Sequence, residues 1–301
     1  MATKTLTAFY DFAVSPLSYD FVYFLCTTRI TRSILGCDRV HIVFVPADTV
    51  TGFRIDNKPT TAEERIWRRD NLVVPMCRLL DATHTVCATR DDARKYLSGA
   101  IWPNKYSVDN PTAAYFYPGL RKMAGTDSMP PFHIDQEAKW LVRHWAGADK
   151  YITLTLRSTS GETRNSNFEA WRRFQCYAEN EHCKVVSIPD THDAGSFPAQ
   201  PLGAIAAINP LIRHALYAGA EMNLGVNTGP MALCHCGGLP YLTFKMVADY
   251  FSTTPQFFEY IGLPVGTQHP WANPVNQRLV WKDDEFDTIK NVYEGVTGLA
   301  A

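Results

Sequence analysis

Asn223-Leu224-Gly225-Val226-Asn227-Thr228-Gly229-Pro230-Met231 holds the most information in this chain of 301 residues. A short apolar run through Val226 reads as a strand. Gly229 permits a tight turn, and Pro230 presets the first φ of a following helix. Free backbone N–H groups at such a helix start point toward solvent, with the positive end of the helix dipole behind them. The five residues Asn227, Thr228, Gly229, Pro230 and Met231 therefore form either a phosphate-binding turn or an ordinary strand-to-helix connection.

The flanking pattern repeats strand and helix. Tyr151–Leu156 alternates as a strand, and Asn165–Glu181 carries a helical stripe of Phe168, Trp171 and Phe174. Lys184–Pro189 is a strand closed by Asp190, and a polar loop with Gly195 runs to Pro201. Asn209-Pro210 opens a helix through Leu211, Leu216 and Tyr217, Leu239–Phe244 is a further strand, and Asp287–Val296 a last helix. Toward the N-terminus, Thr5–Tyr10 reads as a strand and Asp11–Pro16 as a turn. A helix follows through Phe21, Phe24, Leu25 and Ile34, ended by Gly36, and then the strand Val40–Val45. The middle is read as helices at Glu63–Asn71 and Asp91–Leu97, an aromatic loop at Pro103–Pro118, and a helix at Asp135–Trp145. This is α/β, with two Rossmann-like doubly wound domains, 1–147 and 148–301. Ligands on such sheets bind at the carboxyl ends of the strands, and the two edges are expected to face one another across a cleft.

Composition narrows the class. With 46% hydrophobic residues the chain is neither disordered nor in need of disulfide staples. Its 29 basic and 30 acidic residues give no global attraction to nucleic acid or to an acidic membrane. The eight cysteines lie mostly in apolar stretches, and no stretch approaches the roughly 18 apolar residues of a membrane span. No basic and then apolar leader opens the chain. The expectation is a reduced, cytoplasmic protein without an integral membrane segment.

Asn223–Met231 resembles the acidic-residue, Ser-or-Thr, Gly-Pro-Met-His segment of bacterial heptosyltransferases and related GT-B glycosyltransferases, which holds the diphosphate of a sugar nucleotide. Gly238-Leu239-Pro240 is similar to the family's strand entry. Tyr151–Leu156, followed by a Ser/Thr/Gly loop, Arg164 and Trp171, is similar to its first nucleotide-domain strand with a phosphate-facing cation. The likeness covers most of residues 150–245, with a looser echo at 5–46. Asn227 stands where the family carries Asp, and Ala232 where it carries His.

The resemblance implies a metal-independent, inverting glycosyltransferase with no cofactor. Its second domain would bind a nucleotide-diphosphate sugar, its first a glycan or other hydroxyl acceptor, and its final helix would cross back to the first domain. The family's base lies in a Gly-Asp turn after the first strand, with a proline several residues on. Asp11 with Pro16 fits that place, although Tyr10 replaces the glycine. Asp11 is then a general base or the cap of an Asx turn. Asp20 is the rival, but the helical pattern around it reads as a surface position.

Cations must offset the charge of a leaving diphosphate. Arg157 at a strand end, Arg164 after a Ser/Thr loop and Arg213 near the Pro210 helix start are candidates, since guanidinium fits phosphate oxygens. Asp190 either accepts from a ribose hydroxyl or serves a turn. Cys234-His235-Cys236 lacks a partner pair at zinc spacing, so buried thiols explain it better than a metal. Gln268–Trp281 lines a sugar pocket or links domains, and Tyr106, Tyr115 and Tyr117 form an acceptor platform or pack a loop. The same architecture also suits a sugar-nucleotide 2-epimerase or a non-catalytic binding protein.

Overall fold

The computed structural model describes residues 3–55, 60–147, 149–159, 162–181, 184–193 and 200–298. Two compact α/β units divide between Gly125 and Thr126.

The first unit runs β1 (Thr5–Asp11), α1 (Phe21–Ile34), β2 (Arg39–Val45), α2 (Ala62–Arg68), β3 (Thr83–Val86), α3 (Arg90–Ala93), β4 (Ala100–Trp102) and α4 (Tyr117–Ala124). All pairings are parallel and the strand order is β3-β2-β1-β4. β1 and β2 pair in register from Thr5 with Arg39 to Asp11 with Val45. Both begin exposed and end with four buried residues, so their carboxyl ends lie inside the unit. The buried face of α1 meets Tyr10, whose ring takes Phe21 and Phe24 edge-on at 4.7 and 5.0 Å. α1 stops at Gly36, whose φ of +58° lets Cys37 donate its N–H back to the Arg32 carbonyl. The aromatic loop expected at 103–118 gives way to α4 at Tyr117, and β3 and β4 escape the sequence reading. β3 is a mostly exposed edge and β4 has three residues, so neither carries a clear apolar pattern.

An ion pair closes the carboxyl edge of this sheet. The Asp11 side chain is 0% exposed, and Arg90 Nη1 and Nη2 donate to its two oxygens at 2.9 Å each. Tyr106 Oη donates to Oδ2 at 2.6 Å and the Ala13 N–H to Oδ1 at 2.9 Å. Arg90 also donates to the Pro46 carbonyl at 2.7 Å and to the Val108 carbonyl, so one guanidinium ties the loops after β1, β2 and β4.

The second unit runs α5 (Gln136–Ala146), β5 (Tyr151–Thr155), α6 (Phe168–Asn180), β6 (Lys184–Ile188), α7 (Pro201–Ile208), α8 (Pro210–Gly219), β7 (Met222–Val226), α9 (Ala232–Gly237), β8 (Tyr241–Phe244), α10 (Pro255–Ile261), β9 (Gln277–Leu279) and α11 (Phe286–Thr297). Its sheet is parallel, in the order β6-β5-β7-β8-β9. β5, β7 and β8 are buried along their whole length, as central parallel strands are. Their polar residues satisfy one another. Thr153 Oγ1 donates to Asn223 Oδ1 at 2.7 Å, and Asn223 Nδ2 donates to the Tyr217 and Pro240 carbonyls. Asn209 caps α8 by accepting from Leu211 and Ile212 N–H.

Two boundaries differ from the sequence reading. Residues 126–147 belong to the second unit, because α5 packs on α8 through the face bearing its buried Ala138, Val142 and Ala146. α11 belongs to the second unit, with Ile289 and Tyr293 buried in that unit's own core beside Trp171 and Phe174. Gly195, most of its polar loop, Ser160, Gly161 and Cys183 lie outside the described residues. Among the described residues, no helix is long and apolar enough to cross a membrane.

Replacing Arg90 by Met leaves the Asp11 carboxylate buried without its cation, which costs about 3–5 kcal/mol. Urea unfolding of Arg90→Met is therefore expected to show a lower midpoint at unchanged slope. Adding Asp11→Asn should restore part of that loss; an unchanged midpoint in the single variant contradicts the assignment.

Candidate active site

In the second sheet the strand order reverses between β5 and β7, so the connections leaving these two neighbours diverge to opposite sides. The crevice at their carboxyl ends is where open α/β sheets receive ligands. Arg157 follows β5 and Thr228 follows β7, and they meet there: Arg157 Nη1 donates to Thr228 Oγ1 at 3.3 Å. Arg157 Nη2 donates to Glu162 Oε2, and Arg164 Nη2 donates to the same oxygen at 2.7 Å. The Arg164 guanidinium lies over the Tyr250 ring, 3.7 Å from its centroid. Burial and the neighbouring Arg157 charge lower the pKa of Arg164, with Glu162 opposing them. Lys245, just after β8, donates to the Asn165 carbonyl at 2.8 Å.

The loop carrying these groups is folded by short-range pairing. Arg157 N–H donates to Ser166 Oγ and Ser166 N–H to the Arg157 carbonyl, while Thr159 and Asn165 exchange two further hydrogen bonds. Thus Arg157, Arg164 and Thr228, three of the residues singled out in the sequence, lie together. Glu162, Lys245 and Tyr250 join them unforeseen, since no motif marks them.

The other predicted residues fare differently. Asn227 bridges strand ends, with its N–H donating to the Phe244 carbonyl and its Nδ2 to the Met246 carbonyl. Gly229 is exposed and, with Pro230 and Met231, forms a single 3-10 turn ahead of the six-residue α9, a much shorter helix start than the sequence suggests. Met231 is buried. Arg213 is not a phosphate ligand: it is 1% exposed and donates to the Ala206 carbonyl, Tyr217 Oη and the Pro189 carbonyl, knitting α7, α8 and the end of β6. Asp190 accepts from the Thr191 N–H at 2.7 Å and serves the turn.

His235 is buried, with Nε2 2.8 Å from Thr243 Oγ1, and burial holds its pKa well down. Among the described residues no cluster of His, Cys, Asp or Glu is placed to hold a metal. Gln268 exchanges two hydrogen bonds with Leu279, so 268–281 packs within the second unit rather than linking domains.

In the first unit, Asp11 is not placed as a base. Its carboxylate is fully enclosed and already accepts from Arg90, Tyr106 and Ala13. Asp20 is the better-placed carboxylate. α1 begins at Phe21, so Asp20 precedes the helix rather than riding on its surface, and it is half-buried. Ser18 Oγ donates to Oδ2 at 2.8 Å, while Oδ1 accepts no hydrogen bond among the described residues. Burial raises the Asp20 pKa, opposed by the Ser18 hydrogen bond and the Arg54 charge. Arg54 donates to Tyr115 Oη and the Val14 carbonyl, each at 3.2 Å. Ser-x-Asp directly before Phe21-Val22 is a helix-start signal, and it would have taken Asp20 off the helix surface.

No protein-family model matches the chain, and no curated protein matches it by sequence. Among solved structures, Escherichia coli ADP-heptose LPS heptosyltransferase II aligns with a TM-score of 0.53 at 9% identity, over 98% of both chains. The fold is GT-B-like. A glycosyl transferase family 9 member from Veillonella parvula aligns at TM-score 0.45 and 13% identity, over 87% of this chain and 85% of that one. E. coli heptosyltransferase WaaC, solved with ADP, aligns at 0.41 and 12%, over 99% of each. The GT-B-like architecture is the expected one.

The close-packed glycine beside the turn is Gly225, not Gly229. A Cβ at Gly225 would lie 2.9 Å from the Thr155 carbonyl oxygen and 3.1 Å from Met231 Sδ, whereas Gly229 is exposed at the start of a 3-10 turn. Gly225→Ala is expected to lower stability by about 1–3 kcal/mol through overpacking. Gly229→Ala should stay within about 0.5 kcal/mol of the parent, as exposed substitutions do. Equal melting temperatures for the two variants would contradict this.

Proposed function

We propose that this protein is a glycosyltransferase that takes a sugar from a nucleotide-diphosphate donor and transfers it, with inversion, to a hydroxyl acceptor. One observation carries the reading: two guanidinium groups converge on a single oxygen beside Thr228, at the switch point of the second sheet. A leaving diphosphate develops negative charge, and Arg157 and Arg164 supply preorganised donors to it in the role a metal ion fills elsewhere. Within the Asn227–Met231 turn, the backbone N–H groups of Thr228 and Gly229 would add to these donors, since those of Asn227 and Met231 are bonded to the Phe244 and Thr228 carbonyls. In this reading Asp20 takes the acceptor hydroxyl's proton. Its raised pKa makes it a stronger base than an exposed aspartate, and its open Oδ1 is free to receive the proton.

Two measurements test this. A thermal-shift panel of ADP, GDP, UDP, dTDP and CMP, with and without EDTA, should give one EDTA-insensitive stabilisation. Arg157→Ala and Arg164→Ala should each weaken that binding ten- to a hundred-fold, about the worth of one charged hydrogen bond. A flat panel overturns the donor site.

Asp20→Asn should keep nucleotide binding and lose transfer. Because the ionised form acts and burial raises its pKa, kcat/KM should rise with pH through a value above the usual aspartate range of about 3.9 and then level. Transfer retained in Asp20→Asn would place the base elsewhere.

A further inference from the structure

We infer that Glu162 is the resident counter-ion of the donor site: its carboxylate occupies the position of a ligand phosphate, and a diphosphate binds by displacing it. This rests on the donor site proposed above and adds a competing anion, supplied by the chain itself.

The geometry is that of a bound anion. A single oxygen, Oε2, accepts from both Arg157 and Arg164, as a phosphate oxygen accepts from paired guanidinium groups. The three side chains are 9–14% exposed, so the cluster is shielded without being sealed. Both arginines are also held from other directions. Arg157 is tied to Thr228, and Arg164 lies on the Tyr250 ring. Neither arginine needs the carboxylate to keep its direction.

The carboxylate leaves donors unused. Arg157 Nε and Arg164 Nε are buried and have no hydrogen-bond partner among the described residues. Two guanidinium groups offer more N–H donors than one carboxylate can accept, and a diphosphate, with several oxygens on two centres, would supply further acceptors. The described residues at the two ends of the loop are held independently of the exchange. They are joined by the Arg157–Ser166 and Thr159–Asn165 pairs, and Thr163 Oγ1 donates to the Asp249 carbonyl at 2.9 Å, all without the Glu162 side chain.

Charge sets the sign of the effect. Two arginines and one glutamate sum to one positive charge, and displacing or neutralising Glu162 presents two to the incoming ligand. Glu162→Gln keeps the shape and removes the competing charge. Glu162→Asp keeps the charge but shortens the reach to the shared position. The test is calorimetric titration of the full chain and both variants with inorganic pyrophosphate and with ADP, GDP and UDP.

Glu162→Gln is expected to bind pyrophosphate and the preferred nucleoside diphosphate about tenfold more tightly than the parent, with Glu162→Asp in between. If the parent binds but both folded variants bind equally or less tightly, Glu162 positions the arginines instead. The inference then falls while the donor site stands. If neither the parent nor a folded variant binds any of the four probes, the donor site falls and the inference with it.

Discussion

Parallel pairing governs both halves of this molecule. Every strand of a parallel sheet ends on the same edge, so the loops that follow the strands are gathered there whatever their sequence. In the second unit the order β6-β5-β7-β8-β9 turns the connections after β5 and β7 away from one another. A reversal of this kind is where open α/β sheets form their ligand crevice, and Arg157, Glu162, Arg164 and Thr228 gather at that edge. In the first unit the order β3-β2-β1-β4 puts the corresponding reversal between β1 and β4. There the rim is closed by the Asp11–Arg90–Tyr106 group.

The two rims treat charge in opposite ways. The Asp11 carboxylate accepts from Arg90, Tyr106 and Ala13 and is 0% exposed, so its ion pair is a structural tie whose removal leaves a buried charge. Arg157 and Arg164 of the second unit retain buried Nε–H donors without a partner among the described residues. An unanswered donor in a folded protein is costly unless a ligand completes it. The same pairing of guanidinium and carboxylate thus satisfies every oxygen of Asp11 in one unit and leaves two Nε donors over in the other, among the described residues.

Legibility in the sequence follows the same division. β5, β6, β7 and β8 are visible because buried parallel strands are continuous apolar runs, and α8 because Asn209-Pro210 supplies both its cap and its first turn. β3 is invisible because a mostly exposed edge strand, Thr-His-Thr-Val, has no inward face to mark it. Arg157 and Thr228 are legible because each follows a recognisable strand. Arg213 misleads for the same reason: an arginine at a helix start looks like a phosphate ligand, and only the structure shows it buried against carbonyls. Asp11 misleads because its partners, Arg90 and Tyr106, are 79 and 95 residues away. No local pattern carries a pairing at that distance. Asp20 was within reach, since its place one residue before Phe21 is a capping signal that the helical period obscured.

The alignment with heptosyltransferase II shares the architecture at 9% identity. A buried strand constrains only size and apolarity at each position, and many residues meet that demand, so a parallel sheet persists while nearly every side chain changes. The loops after the strands are not so bound. Their residues are chosen by what they contact, and here the contacts differ between the two rims of a single chain. Function in this molecule is accordingly to be read from a handful of loop residues, with the sheets explaining only why those residues meet.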